Sequence, residues 1–133
     1  MATPGRRWFA TGQGRSGLVA SMAAMRLMHL GRDAHVLGGA TAPSMRTDDG
    51  LIVISGSGET PTTLHFARGA RDLGARPLAV IAQPDSTLGT LADAVLPVPS
   101  AHTTQFGGSL FEQGTLLLFD AVVMALAADT EGA

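Results

Sequence analysis

Three hydroxyl side chains, Ser55, Ser57 and Thr60, are interleaved with Gly56 and Gly58 directly after an apolar run at residues 51–54. Glycines let backbone N–H groups converge on one point, and the hydroxyls add donors beside them. A loop of this kind can hold a phosphate without a cation. A plain strand-to-helix turn capped by Thr60 would need fewer polar groups. The run that feeds the loop is β-branched and apolar on both faces, as a central strand of a parallel sheet must be. Open α/β sheets bind ligands at the carboxyl ends of such strands.

A second glycine loop, Gly12-x-Gly14-x-x-Gly17, follows a short apolar segment and carries Arg15 and Ser16. Its letters match the dinucleotide fingerprint, which also requires an acidic residue about 20 positions on to hold the ribose. Here the second strand ends in Leu37-Gly38-Gly39, and Asp33 precedes it. Nicotinamide and flavin binding are therefore disfavoured. Arg15 and Ser16 instead suit an anionic sugar, met by a guanidinium and a hydroxyl.

Glu112 is the candidate proton carrier. It enters an otherwise apolar helix behind Gln105-Phe106-Gly107-Gly108-Ser109, where partial desolvation favours a general base. An acidic first-turn residue complementing the helix dipole would stand in the same place. The four histidines show no metal-ligand spacing, and no metal site is expected. His102 precedes Glu112 in its loop and is placed for proton transfer or for solvent. His29 lies at the far end of the first helix, roughly 20 Å from that helix's own glycine loop. It can serve such a site only across a subunit boundary, and otherwise reads as a structural or interface histidine. His35 and His65 read as strand-edge and helix-surface residues.

Strand and helix alternate along the chain. Strands are expected near 8–11, 34–37, 51–54, 77–82 and 94–98, and helices near 16–30, 61–73 and 108–128, with a short one inside 84–93. Gly31 and Gly74 stop two helices, and Pro61 opens one. Residues 129–133 read as a frayed tail. The pattern predicts an α/β fold, a doubly wound five-stranded parallel sheet in flavodoxin-like order 2-1-3-4-5, as one domain over 1–133. The first and last long helices are apolar nearly all round, which calls for cover on both sides. A second subunit is the expected cover, although packing of the two helices on each other is the alternative.

Composition narrows the function. At 133 residues, 45% hydrophobic and 15% charged, the chain can bury a single core. A net charge of −2 gives no reason to expect nucleic acid or an acidic membrane surface as partner. All nine basic residues are Arg, so neither a Schiff-base lysine nor a Walker-type lysine exists. Without Cys there is no disulfide, thiol nucleophile or thiolate metal site. No uninterrupted apolar run reaches the length of a membrane span, and no signal peptide is visible, so a cytoplasmic location is expected.

Several segments taken together resemble the 6-phospho-3-hexuloisomerase family of the SIS (sugar isomerase) superfamily. They are Gly14-Arg15-Ser16-Gly17, the run from Ala24 through Arg26, His29 and Gly31, Ser55-Gly56-Ser57-Gly58-Glu59-Thr60, Leu88-Gly89, and Gly108-Ser109-Leu110-Phe111-Glu112-Gln113. The resemblance covers nearly the whole chain. It implies interconversion of D-arabino-hex-3-ulose 6-phosphate and fructose 6-phosphate through a cis-enediol, with no metal or cofactor, in a homodimer or homotetramer. It implies that Ser55, Ser57 and Thr60 hold the phosphate with Ser16 nearby, and that Glu112 moves the proton. Arg15 would orient the sugar or steady the enediolate, and His29 would assist across a subunit interface. Departures accompany it. The family's N-terminal helical segment of about forty residues and its His-Ala-Asn-Leu-Glu tail are lacking, Gly39 replaces a Glu, and Gln105-Phe106-Gly107-Gly108 replaces Gln-Pro-Met-Gly. The alternative implied is a sugar-phosphate-binding or regulatory SIS module without catalysis.

Overall fold

A computed structural model describes residue 1 and residues 5–100 and 103–131. Five strands, β1 (Trp8–Gly12), β2 (Ala34–Val36), β3 (Gly50–Ile54), β4 (Arg76–Ile81) and β5 (Ala94–Pro97), form one sheet in the order β2-β1-β3-β4-β5. Every pairing is parallel, with Trp8 opposite both Ala34 and Gly50, Ile52 opposite Leu78, and Val80 opposite Leu96. Four helices connect and cover them: α1 (Arg15–His29), α2 (Pro61–Leu73), α3 (Thr87–Leu91) and α4 (Ser109–Glu131). This is the expected doubly wound α/β order, and it places the topological switch between β1 and β3.

The period-2 alternation of a strand splits the core in two. Ile52 and Ile54 of β3 pack with Trp8, Ala20, Leu27, Phe111 and Phe119 under α1 and α4. Leu51 and Val53 pack with Phe9, Leu64, Ala67, Ile81 and Leu88 under α2 and α3. All five residues of β3 are buried, which accounts for its continuously apolar sequence. Pro61 opens α2 at a position whose N–H would have no helical partner. Gly74 ends the helix in the left-handed region, its N–H donating to Arg71 O.

The ends of α4 differ from expectation. The helix continues through residues 129–131 instead of fraying there, because Ala125, Ala127 and Ala128 favour helix and the next breaker is Gly132. Its 109–129 stretch, of mean hydropathy 1.6, is also long and apolar enough to cross a membrane by length and composition. No uninterrupted apolar run predicts this, because Glu112 and Asp120 break the sequence. In the fold, Phe111, Thr115, Phe119 and Leu126 of this helix are buried inward, and α4 packs against α1. The alternative reading, packing of the two apolar helices on each other, is the one seen. They cover each other, yet Leu18, Met22, Met25 and Met28 of α1 and Leu117 and Met124 of α4 stay exposed.

Candidate active site

The carboxyl ends of β1, β3, β4 and β5 deliver four loops to one edge of the sheet. Ser16, Ser57, Gln83 and Ser100 from these loops line a cavity of about 330 Å³, closed by Gly108, Phe111 and Glu112 at the start of α4. Its size suits a small metabolite.

The loop at 55–60 is built by its own hydroxyls. Ser55 is buried; its Oγ accepts the Gly58 N–H at 3.1 Å and lies 3.1 Å from Thr60 Oγ1. Ser57 Oγ accepts the Glu59 N–H at 3.1 Å and is exposed to the cavity. Thr60 starts α2 without capping it through its side chain, since its hydroxyl is turned toward Ser55. The Ser55 and Thr60 hydroxyls thus set the loop's shape from behind, and Ser57 presents its hydroxyl in front.

A second loop braces the first. Glu59 accepts the Thr87 N–H at 2.5 Å and the Thr87 hydroxyl at 2.8 Å, and Gly58 O accepts the Leu88 N–H at 3.0 Å. The Thr87 N–H, and then its hydroxyl, hold the Glu59 carboxyl below its ordinary range. Gly58 has φ +68°, and a Cβ there would come within 2.0 Å of Ser86 Oγ. Only glycine allows the two loops to interlock this closely.

The Gly12-x-Gly14-x-x-Gly17 letters have a packing explanation. A Cβ on Gly12 would lie 2.7 Å from the Ser16 backbone, and one on Gly17 would lie 2.7 Å from Gly12 O. The pair lets α1 start directly on the end of β1, which brings Ser16 into the cavity and Arg15 to its rim.

Glu112 lies in the first turn of α4, its N–H bonded to Gly108 O at 3.1 Å. Its side chain is only 14% exposed, whereas that of its ion-pair partner Arg15 is 64% exposed. Arg15 Nε faces Glu112 Oε2 in this pair, and Oε2 is buried and receives no aligned hydrogen bond. The contact is charge against charge. Phe111 packs its ring 3.3 Å from where a Gly56 Cβ would stand, drying the wall beside Glu112. The same carboxylate also lines a groove of about 450 Å³ between α1 and α4, with Arg15, Leu18, Met22 and Leu116.

Ser16, Ser57 and Glu112 are therefore brought together, with Arg15 beside them and Ser55 and Thr60 behind. His29 is not. It is exposed at the far end of α1, 3.4 Å from Arg26 Nη1, about 20 Å from Arg15 by helix rise. His35 pairs with Asp33 at 2.6 Å and lies against the Phe9 ring. His65 lies on α2 beside Phe66, and His102 lies outside the described residues. Among the described residues no three of His, Asp and Glu gather as a metal site would. Sequence reasoning passed over Gln83 and Ser100. Their signal was positional, since each follows the carboxyl end of a parallel strand.

Residues 3–127 match the family model of the SIS domain. The chain is 46% identical to the 3-hexulose-6-phosphate isomerase of Mycobacterium gastri, covering 96% of this chain and 68% of that protein. Identity to the 3-hexulose-6-phosphate isomerase of Bacillus subtilis (strain 168) is 42%, covering 89% and 69%. A solved structure from Methanococcus jannaschii, described as inferring a molecular function of 3-hexulose-6-phosphate isomerase, superposes with a TM-score of 0.89 at 32% identity. That match covers 95% of this chain and 71% of the other. The chain belongs to the SIS domain family and is an isomerase within it.

Proposed function

We propose that this protein interconverts D-arabino-hex-3-ulose 6-phosphate and fructose 6-phosphate, with Glu112 as the proton carrier. The observation that carries this reading is the single cavity shared by Ser57, Ser16 and a nearly buried Glu112. A phosphate seated on the 55–60 loop receives donors from that loop, and from Ser16 at the start of α1. Ser57 supplies a hydroxyl, and Ser55 and Thr60 hold the loop's geometry from behind. The sugar carbons then extend past Glu112. Its carboxylate takes the proton from C2 of the 3-ketose and returns it to C3, while the proton on O2 moves to O3. Negative charge develops on the enediol oxygens between these steps, and the Arg15 guanidinium offsets it.

The exposed methionine and leucine face of α1 and α4 supports a homodimer or homotetramer. His29, remote from its own cavity, assists proton transfer only from a neighbouring subunit. A phosphorylated sugar is an intracellular metabolite, which supports a cytoplasmic location.

The test is formation of fructose 6-phosphate from the 3-hexulose 6-phosphate by wild type and Glu112→Gln. Turnover by wild type and a loss of at least 10²-fold in kcat for the variant are expected. Wild type that binds sugar phosphate without turning it over would instead indicate a binding or regulatory module.

A further inference from the structure

Two cavity residues have no part in the chemistry above. Gln83 follows β4 and Ser100 follows β5, and both face the cavity that holds Ser16 and Ser57. The sheet order sets their places. The loops after β1 and β3 are neighbours, then the β4 loop, then the β5 loop. The hydrogen bonds Ala82 N–H to Gly56 O and Val98 N–H to Ile81 O carry this side-by-side order past the ends of the strands. With neighbouring strands about 4.8 Å apart, the β3 loop and the β5 loop stand roughly 10 Å from each other. A six-carbon chain with a terminal phosphate, at about 1.5 Å per bond, extends over nearly the same length.

The geometry points to Gln83 and Ser100 as a second binding pole, one that takes the hydroxyl-bearing end of the sugar remote from the phosphate. This rests on the phosphate lying at the 55–60 loop, as proposed above. The chemistry of the pair fits that end and not the other. Both side chains are neutral, and each can donate and accept, so each matches a hydroxyl in either sense. The pole also sets length. A ligand anchored by phosphate at the β3 loop reaches Ser100 only if its carbon chain is long enough, so the pair favours six-carbon over five-carbon ketose phosphates. Glu112 stands at the α4 wall facing the cavity these two poles share, where the middle carbons would lie.

Calorimetric binding of two probes, fructose 6-phosphate and inorganic phosphate, to wild type, Gln83→Ala and Ser100→Ala tests this. Each variant should bind fructose 6-phosphate about five- to tenfold more weakly, as loss of one hydrogen bond to a ligand predicts. Affinity for inorganic phosphate should stay within about twofold, which also shows that the variants are folded and their cradle intact. Ribulose 5-phosphate should lose little affinity on Ser100→Ala. Unchanged affinity for fructose 6-phosphate in both variants would overturn the proposal. So would a parallel weakening of phosphate, which would place the residues at the cradle. Turnover is measured separately. Selective loss of sugar binding in a protein without turnover would keep the second pole and remove the isomerase reaction.

Discussion

Ser57 presents its hydroxyl to the cavity, at the proposed phosphate site, and Ser55 turns its own inward to Gly58 and Thr60. The two serines should therefore fail differently. Ser57→Ala should weaken sugar-phosphate binding by roughly 1–3 kcal/mol, the worth of a hydrogen bond to a charged group, with the thermal midpoint unchanged. Ser55→Ala should lower both affinity and midpoint, because it strands a buried N–H. Inhibition constants and melting curves on the two variants check this; equal behaviour would contradict the division of labour. Away from the site, Asp49 is buried at the edge of β3 and pairs with Arg7 at 2.6 Å. Burial works against its charged form, yet hydrogen bonds from Arg7 and from the Arg46 N–H outweigh that and hold its carboxyl below the usual range. The unfolded carboxyl titrates near 3.9, so this stabilisation is complete above about pH 5 and disappears as pH falls through the lower folded value. Asp49→Asn should be less stable than wild type at pH 7 and converge on it toward pH 3 in denaturant titrations. A constant gap across that range would contradict the assignment.

At the scale of elements, the part of the site written in contiguous residues was legible, and the part assembled by the sheet was not. Glycines and hydroxyls at 55–60 mark the proposed anion loop locally, and Glu112 announces itself as a charge entering an apolar helix. The Gly12-x-Gly14-x-x-Gly17 letters are ambiguous in sequence, because the same glycines serve a nucleotide or a tight strand-to-helix seat. The missing ribose acid pointed away from a nucleotide, and the backbone contacts explain the seat. Gln83 and Ser100 carry no local signature; only the strand order brings them beside Ser57. The Glu59–Thr87 brace was hidden for the same reason, since its partners are far apart in sequence. Glu59→Ala should raise KM for sugar phosphate several-fold with kcat within about twofold, because the loop that positions the phosphate is loosened while Glu112 is untouched. Glu59→Gln keeps a carbonyl for the Thr87 N–H and an amide for its hydroxyl, and should restore most of the loss. A fall in kcat alone, or no rescue by Gln, would contradict a positioning role.

For the molecule as a whole, the exposed apolar side chains of α1 and α4 dominate. Leu18, Met25, Leu117 and Met124 are each more than half exposed, at 67%, 56%, 69% and 73%. An apolar surface of this kind is costly in water, and the proposed assembly would cover it. In light scattering at tens of micromolar, the wild type should have a mass that is a multiple of 13.6 kDa. Met25→Glu with Leu117→Glu should return it to the single-chain mass without unfolding, since neither side chain is buried in the core. A monomeric wild type would remove the assembly and, with it, any role for His29.

Glu112 lines the cavity on one side of its helix and the α1–α4 groove on the other. In the proposed assembly a neighbouring subunit over that groove would change the water content around the carboxylate, and would thereby link assembly to the proton transfer proposed for Glu112. By mass action, such a catalyst has a specific activity that depends on its own concentration. Serial dilution should produce a slow decline in rate per chain, reversed by concentrating the enzyme and prevented by saturating sugar phosphate.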